Sequence, residues 1–411
     1  MDTRRKFIER CAQTAFGLTV LPNISQAQKG TAGFGSAERI IFINVAGGMS
    51  HIDTFDPKEG PSKGPGKTIR TKADFQVTNY LENTAKVADQ LAVIRTMTAK
   101  IGVHGPAQYF MRTAFAQRAT IKHPNLGAWA EHYLGKSDDT LPASACINDG
   151  PRYGNGFFPP SFSSIPILNP ETGLQNIVGK GGTTKAITKK LGLAQELSSG
   201  FMKRFPDSNV AAYRQFYDHS LRLLRSEDLS AFDISKESQA MRESYGEGKV
   251  GQGLLLARRL VEGGIRFVEV TAGGWDMHKN LEGEMDVVAP PFDRAYAALI
   301  TDLKERGMLD STLVVLATEF GRKPQYNGGG RGHYPICFSC VLAGAGVKRG
   351  FTYGESDSYG AESDKAVSIG ELHATIGHAA GLPLDKPVYT PSGRPFHVGG
   401  KYKKPIMELF S

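Results

Sequence analysis

Three continuously apolar, β-rich runs constrain what this chain can fold into: RIIFINV at 39–45, IRFVEV at 265–270 and TLVVLATE at 312–319. Strands that are apolar at every position, not at alternate ones, are buried on both faces, which is the signature of parallel sheets covered by helices. The second run comes after a helical pattern, VGQGLLLARRLVE at 250–262, stopped by Gly263 and Gly264. The third comes after PFDRAYAALITDLKER at 291–306, stopped by Gly307. Helix, glycine and strand in repetition predict right-handed crossovers and an α/β fold, with a mostly parallel central sheet and helices on both faces. A last helix is expected over 368–380.

Behind each strand stands a compact group of residues able to do chemistry. After 39–45 comes GGMSHIDTFDPK, with His51, Asp53 and Asp56. After 265–270 comes TAGGWDMHKN, with Asp276 and His278. After 312–318 comes EFGRKPQYNGGGRGHYP, with Glu319, Arg322, Arg331 and His333. One His-x-Asp pair alone is commonly a turn with an Asx hydrogen bond. Three clusters at the carboxyl ends of three strands share one edge of the sheet, where open parallel sheets bind ligands. Imidazole mixed with carboxylate suits zinc, manganese or iron better than calcium, and we expect zinc or manganese, as one or two ions.

The chain opens with MDTRRKFIERCAQTAFGLTVLPNISQAQ. Paired Arg4 and Arg5, a weakly apolar stretch and small residues at Ser25–Ala27 fit a twin-arginine export signal cleaved after Ala27. The apolar part is shorter than the roughly 20 residues a spanning helix needs, so no stable membrane anchor is expected. Removing its four Lys/Arg and two Asp/Glu lowers the net charge from +8 to +6. The basic residues are scattered, without the stripe that nucleic-acid binding requires. An odd three cysteines remain (Cys146, Cys337, Cys340), which argues against a disulfide framework. Residues 28–411 are expected to form a single domain, since the polar motifs near 50 and between 274 and 333 must converge. Residues 136–183, rich in Gly, Pro and Ser, are expected to be a long loop, and the segment to 244 a helical cap. His373 and His378 are assigned to packing or capping. Trp275 is a core or cleft-wall residue, or a platform for a substrate ring.

The strings GGMSHIDTFDPK, WDMH, EFGR and GRGHYP resemble an uncharacterised family of exported bacterial proteins, domain of unknown function number fifteen hundred and one, grouped with the alkaline phosphatase and sulfatase superfamily. RTMTAKIGVHGPAQYFMRT and HPNLGAWAEHYLG extend the resemblance over nearly the whole mature chain. It implies an alkaline-phosphatase-like fold. It also implies one ion held by Asp276, His278 and His333. For a second ion, Glu319 matches the late carboxylate of the phosphatase pattern, but Phe320 stands where a His belongs and Gly47 where the first-turn Asp belongs. His51 and Asp53 are the expected substitutes. The nucleophile position falls in HGPAQYFMRTA, on His104 or Gly105, and the chain has no CxPxR-type sulfatase string. That leaves a metal-activated water, or His104 as base or nucleophile. Gly332 stands where relatives have Asp.

The sequence thus leads to a periplasmic or secreted metallohydrolase of phosphate or sulfate esters, exported by the twin-arginine machinery. Arg322 and Arg331 are expected to grip the anion. The rival is a non-catalytic exported binding protein that uses the same cleft for a glycan, an anion or a protein.

Overall fold

A computed structural model describes residues 30–137, 140–150, 154–174, 226–326, 328–362, 364–401 and 404–411, with a few isolated positions between 189 and 224. The export signal expected at 1–27, and most of the helical cap expected over 184–244, lie outside the described residues.

Among the described residues, the central sheet has nine strands. In chain order they are β1 (Arg39–Val45), β2 (Leu91–Thr98), β3 (Ser144–Ile147), β4 (Ile165–Ile167), β5 (Phe267–Ala272), β6 (Thr312–Thr318), β7 (Phe338–Ala343), β8 (Phe351–Tyr353) and β9 (Val367–Ser368). Across the sheet the order is β8, β2, β7, β6, β1, β5, β3, β4, with β9 also on β2. Only β7 runs against the rest, antiparallel to both β2 and β6. β1 is central, paired in parallel with β6 over its whole length and with β5 from Ile40 to Val45. The expected mostly parallel sheet is therefore present.

Five helices matter for the site: α1 (His104–Thr113), α2 (Leu126–Leu134), α3 (Gly248–Glu262), α4 (Leu281–Glu305) and α5 (Ile369–Ala379). Ile41, Ile43 and Val45 of β1 face α3 and α4, where Leu254, Phe292 and Leu299 complete one core. Ile40 and Phe42 face Met111 of α1, Trp129 of α2 and Leu372 of α5 in a second core. Each neighbour on β1 thus buries the opposite face, which is why RIIFINV shows no polar alternation.

Several boundaries differ from expectation, each for a physical reason. The second strand runs 267–272 instead of 265–270, because Phe267 registers with Ile40 and the pairing continues to Ala272. The helix expected from 291 begins at Leu281 and carries Pro290 and Pro291 inside it. Leu281, Met285 and Ala289 repeat every four residues and are buried, which holds the helix through the prolines. The turn around Val287 is exposed, so water can take up the carbonyls that lose their donors. The loop expected over 136–183 supplies β3 and β4, two parallel strands of the main sheet. α5 begins as expected, with Ser368 and Glu371 forming a capping box.

Candidate metal site

Because β1, β5 and β6 run in parallel, their carboxyl ends open on one edge. β2 runs with them and delivers its chain end into α1, so His104 reaches this edge too. β7 runs the other way, so the residues that precede it arrive there as well. A two-residue ladder sets His333 opposite Arg322.

His104, Asp276, His278 and His333 meet there, each with one ligand atom, all within 4.8 Å of one another. His278 Nε2 is 3.0 Å from Asp276 Oδ1 and 2.9 Å from His333 Nε2. His104 Nε2 is 3.2 Å from Asp276 Oδ2. Donors bonded at about 2.0–2.1 Å to one tetrahedral ion would stand roughly 3.3 Å apart, so the spacing suits a single cation. His104 Nε2 is buried and has no aligned hydrogen-bond partner, although Asp276 is close. A nitrogen so placed can give its lone pair to an ion. Asp276 and His278 are about half exposed, which leaves one side of the cluster open to solvent.

The protonation of the ring nitrogens is imposed from outside. His104 Nδ1 lies 2.7 Å from Glu319 Oε1, and His333 Nδ1 lies 2.8 Å from the carbonyl of Gly102. A carbonyl or an ionised carboxylate can only accept, so each Nδ1 carries the proton and each Nε2 presents a lone pair to the cluster. Glu319 is wholly buried, and burial pushes its carboxyl up. The hydrogen bonds from His104 and from the Gly47 amide outweigh this and hold it below the ordinary carboxylate value. The His104 imidazole is raised, first by its bond to Glu319 and against the cost of burial. Burial likewise raises Asp276. The hydrogen bond and charge of Arg322, with His104 and His278, overcome it and bring the carboxyl down to about 2. His278 is lowered by burial and by Arg322.

The second ligand set expected from the sequence does not assemble. His51 is buried and its Nε2 donates to the carbonyl of Gly360, 2.8 Å away. Asp53 is buried in a two-point ion pair with Arg331, at 2.7 and 3.1 Å, and accepts from Ser50. Glu319 stands behind His104. Asp56 pairs with Lys58 at 3.0 Å. Gly47 has φ +118°, and a Cβ there would lie 2.5 Å from the amide nitrogen of Asp276. An aspartate at that position is therefore sterically excluded.

Neither arginine is placed as expected for gripping an anion. Arg331 is buried and spends its donors on Asp53 and the carbonyls of Ser62, Lys323 and Pro324. Arg322 is buried too. It donates to the carbonyls of Gly47, Gly48 and Arg331 and to Asp276. It thus fixes Asp276 and the first-strand turn. Trp275 is buried edge-on against Phe292 at 5.3 Å, a core residue. His373 donates to the Met111 carbonyl and His378 to that of Ala32.

His104 is the member of the cluster that spacing did not assign to metal. Its signal was present: LAVIRTMT at 91–98 is a fourth apolar run, and His104 comes soon after it. Among the described residues no helix is long and apolar enough to cross a membrane.

A family profile described as "Protein of unknown function (DUF1501)" matches residues 37–410. No curated protein matches the chain. Among solved structures, the chain is similar to the lipoteichoic acid synthase LtaP from Listeria monocytogenes, with 9% identity and TM-score 0.45, over 93% of this chain and 81% of that one. It is also similar to the PsFucS1 sulfatase from Pseudoalteromonas sp., with 12% identity and TM-score 0.42, over 95% and 74%. A third likeness is to the alkaline phosphatase from the Antarctic bacterium TAB5, with 11% identity and TM-score 0.35, over 77% and 94%.

Proposed function

This chain belongs to the Protein of unknown function (DUF1501) family, and we propose that it is an exported, metal-dependent hydrolase of phosphate or sulfate esters working with one divalent ion. The observation that carries the reading is the pair of imidazoles, His104 and His333, whose outer nitrogens are tied to Glu319 and Gly102 so that both Nε2 lone pairs face Asp276. Three imidazole nitrogens and one carboxylate oxygen suit zinc, with manganese second. When bound, the ion supplies Lewis acidity toward an ester oxygen and makes water more acidic.

The chain's own residues do the rest. Arg322 keeps Asp276 ionised and oriented. Glu319 holds the His104 tautomer. His104 is the first residue of α1, so the positive end of that helix lies beside the cluster, where it favours an anionic ester. The open side at Asp276 and His278 admits the substrate. The assignment to the exterior of the cell rests on Arg4, Arg5 and the segment through Ala27.

A second reading, an exported binding protein for a glycan or anion, is favoured by the burial of Arg322 and Arg331 in internal bonds. The two separate in one experiment. Purified protein is analysed for metal and offered chromogenic phosphate and sulfate esters with and without chelator. Chelator-sensitive turnover supports the hydrolase. Stoichiometric metal without turnover across the panel supports the binding protein.

A further inference from the structure

Away from the metal site, a cavity of 440 Å³ opens between the turn after β1, the antiparallel hairpin Thr68–Arg70/Gln76–Thr78 and Arg95 of β2. Its wall holds three cations, Lys58, Arg70 and Arg95, against two acids, Asp56 and Asp74. Asp56 is 1% exposed and already saturated. One oxygen lies 3.0 Å from Lys58 Nζ and 3.6 Å from Arg95 Nε, and the other accepts the Ser356 hydroxyl. This buried carboxylate anchors the two cations by their inner sides and leaves their remaining donors for the cavity.

Arg95 Nε is buried without a hydrogen-bond partner, the distance to Asp56 being too long for one, and Nη2 donates at 3.2 Å to the carbonyl of Gln76. The Arg70 side chain is exposed and makes no hydrogen bond or ion pair with the described residues, while its backbone pairs with Gln76 across the hairpin. Two guanidinium groups and one ammonium around a polar hollow match a tetrahedral oxyanion, which accepts several N–H donors at once. The volume lies within the range of small-molecule sites.

We propose that this cavity binds a phosphate or sulfate group carried on a polar organic molecule of monosaccharide size, independently of the metal cluster. The test is calorimetric titration of the full chain, in chelator, with glucose 6-phosphate, glucose 6-sulfate, inorganic phosphate and inorganic sulfate. A sugar ester is expected to bind with Kd below about 1 mM. Arg95→Gln should weaken it about tenfold or more, and Arg70→Gln about fivefold. The Arg70 side chain is exposed and unpaired, so its variant folds and keeps the test decisive. His333→Ala should leave the binding unchanged. No heat from any probe to about 10 mM, or wild-type affinity in both arginine variants, overturns the site. Loss of binding in His333→Ala would put the anion at the metal cluster and overturn it equally. Inorganic ions binding as tightly as the sugar esters would overturn the organic part of the ligand.

Discussion

His104 Nδ1 and Glu319 Oε1 lie 2.7 Å apart, joining the first residue of α1 to the residue that follows β6. Through this contact a carboxylate 215 residues away in sequence decides which nitrogen of His104 faces the cluster.

Replacing Glu319 by Gln removes the charge but keeps an acceptor for the Gly47 amide. Carboxylates placed behind a ligating histidine are worth about 10–100-fold in metal affinity. Glu319→Gln should lose that much zinc affinity in competition with a chromogenic chelator, with an unchanged circular dichroism spectrum. Unchanged affinity would make the contact merely structural.

The Asp53–Arg331 pair, both side chains fully buried, locks the turn after β1 to the segment leading to His333. Removing one partner of a buried pair leaves an uncompensated charge and typically costs about 3–5 kcal/mol. Asp53→Ala should show that loss in urea denaturation. The fraction that remains folded should still bind one zinc ion, because Asp53 is not among the four clustered side chains. A folded Asp53→Ala protein without metal would restore the expectation drawn from the sequence.

Much of this was legible in the chain. Continuous apolar runs at 39–45 and 312–318 marked the central strands, since burial on both faces leaves no alternation, and the clusters behind them pointed to one edge of the sheet. Those clusters hold Asp276, His278 and His333, which the structure brings together with His104. The partners of buried charges were not legible. Arg331 is spent on Asp53, 278 residues earlier, and no local pattern records that distance. Nor could spacing show that the Trp275–Asp276 backbone crosses so close to residue 47 that only glycine fits. β3 and β4 escaped notice because Ser144–Ile147 and Ile165–Ile167 are too short for periodicity and sit among Gly, Pro and Ser.

Gly47 yields its own prediction. A Cβ at φ +118° would meet the Asp276 amide at 2.5 Å, so Gly47→Ala must displace the loop that carries Asp276 and His278. Zinc affinity should fall at least about tenfold, one RT ln 10 of ligand misplacement, as read by isothermal titration.

Glu131 of α2 is 8% exposed, and burial raises its carboxyl from the ordinary 4.5 to about 7, with Lys136 opposing. The folded state therefore binds the proton more tightly than the unfolded one. Its contribution is fully present below about pH 4.5 and is lost as pH rises through about 7. Glu131→Gln should raise Tm by a few degrees, about 2–4 °C per kcal/mol, at pH 8, with no gain at pH 4. Equal Tm differences at the two pH values would remove burial of this carboxyl as the cause.

The central claim, one cation held by four side chains from three separate parts of the sequence, is tested most directly by anomalous diffraction at the zinc edge from crystals grown with zinc. We predict a single peak per chain, about 2.0–2.2 Å from His104 Nε2, His278 Nε2, His333 Nε2 and a carboxylate oxygen of Asp276. A peak coordinated by His51, Asp53 or Glu319, or no peak near the four, would contradict the account.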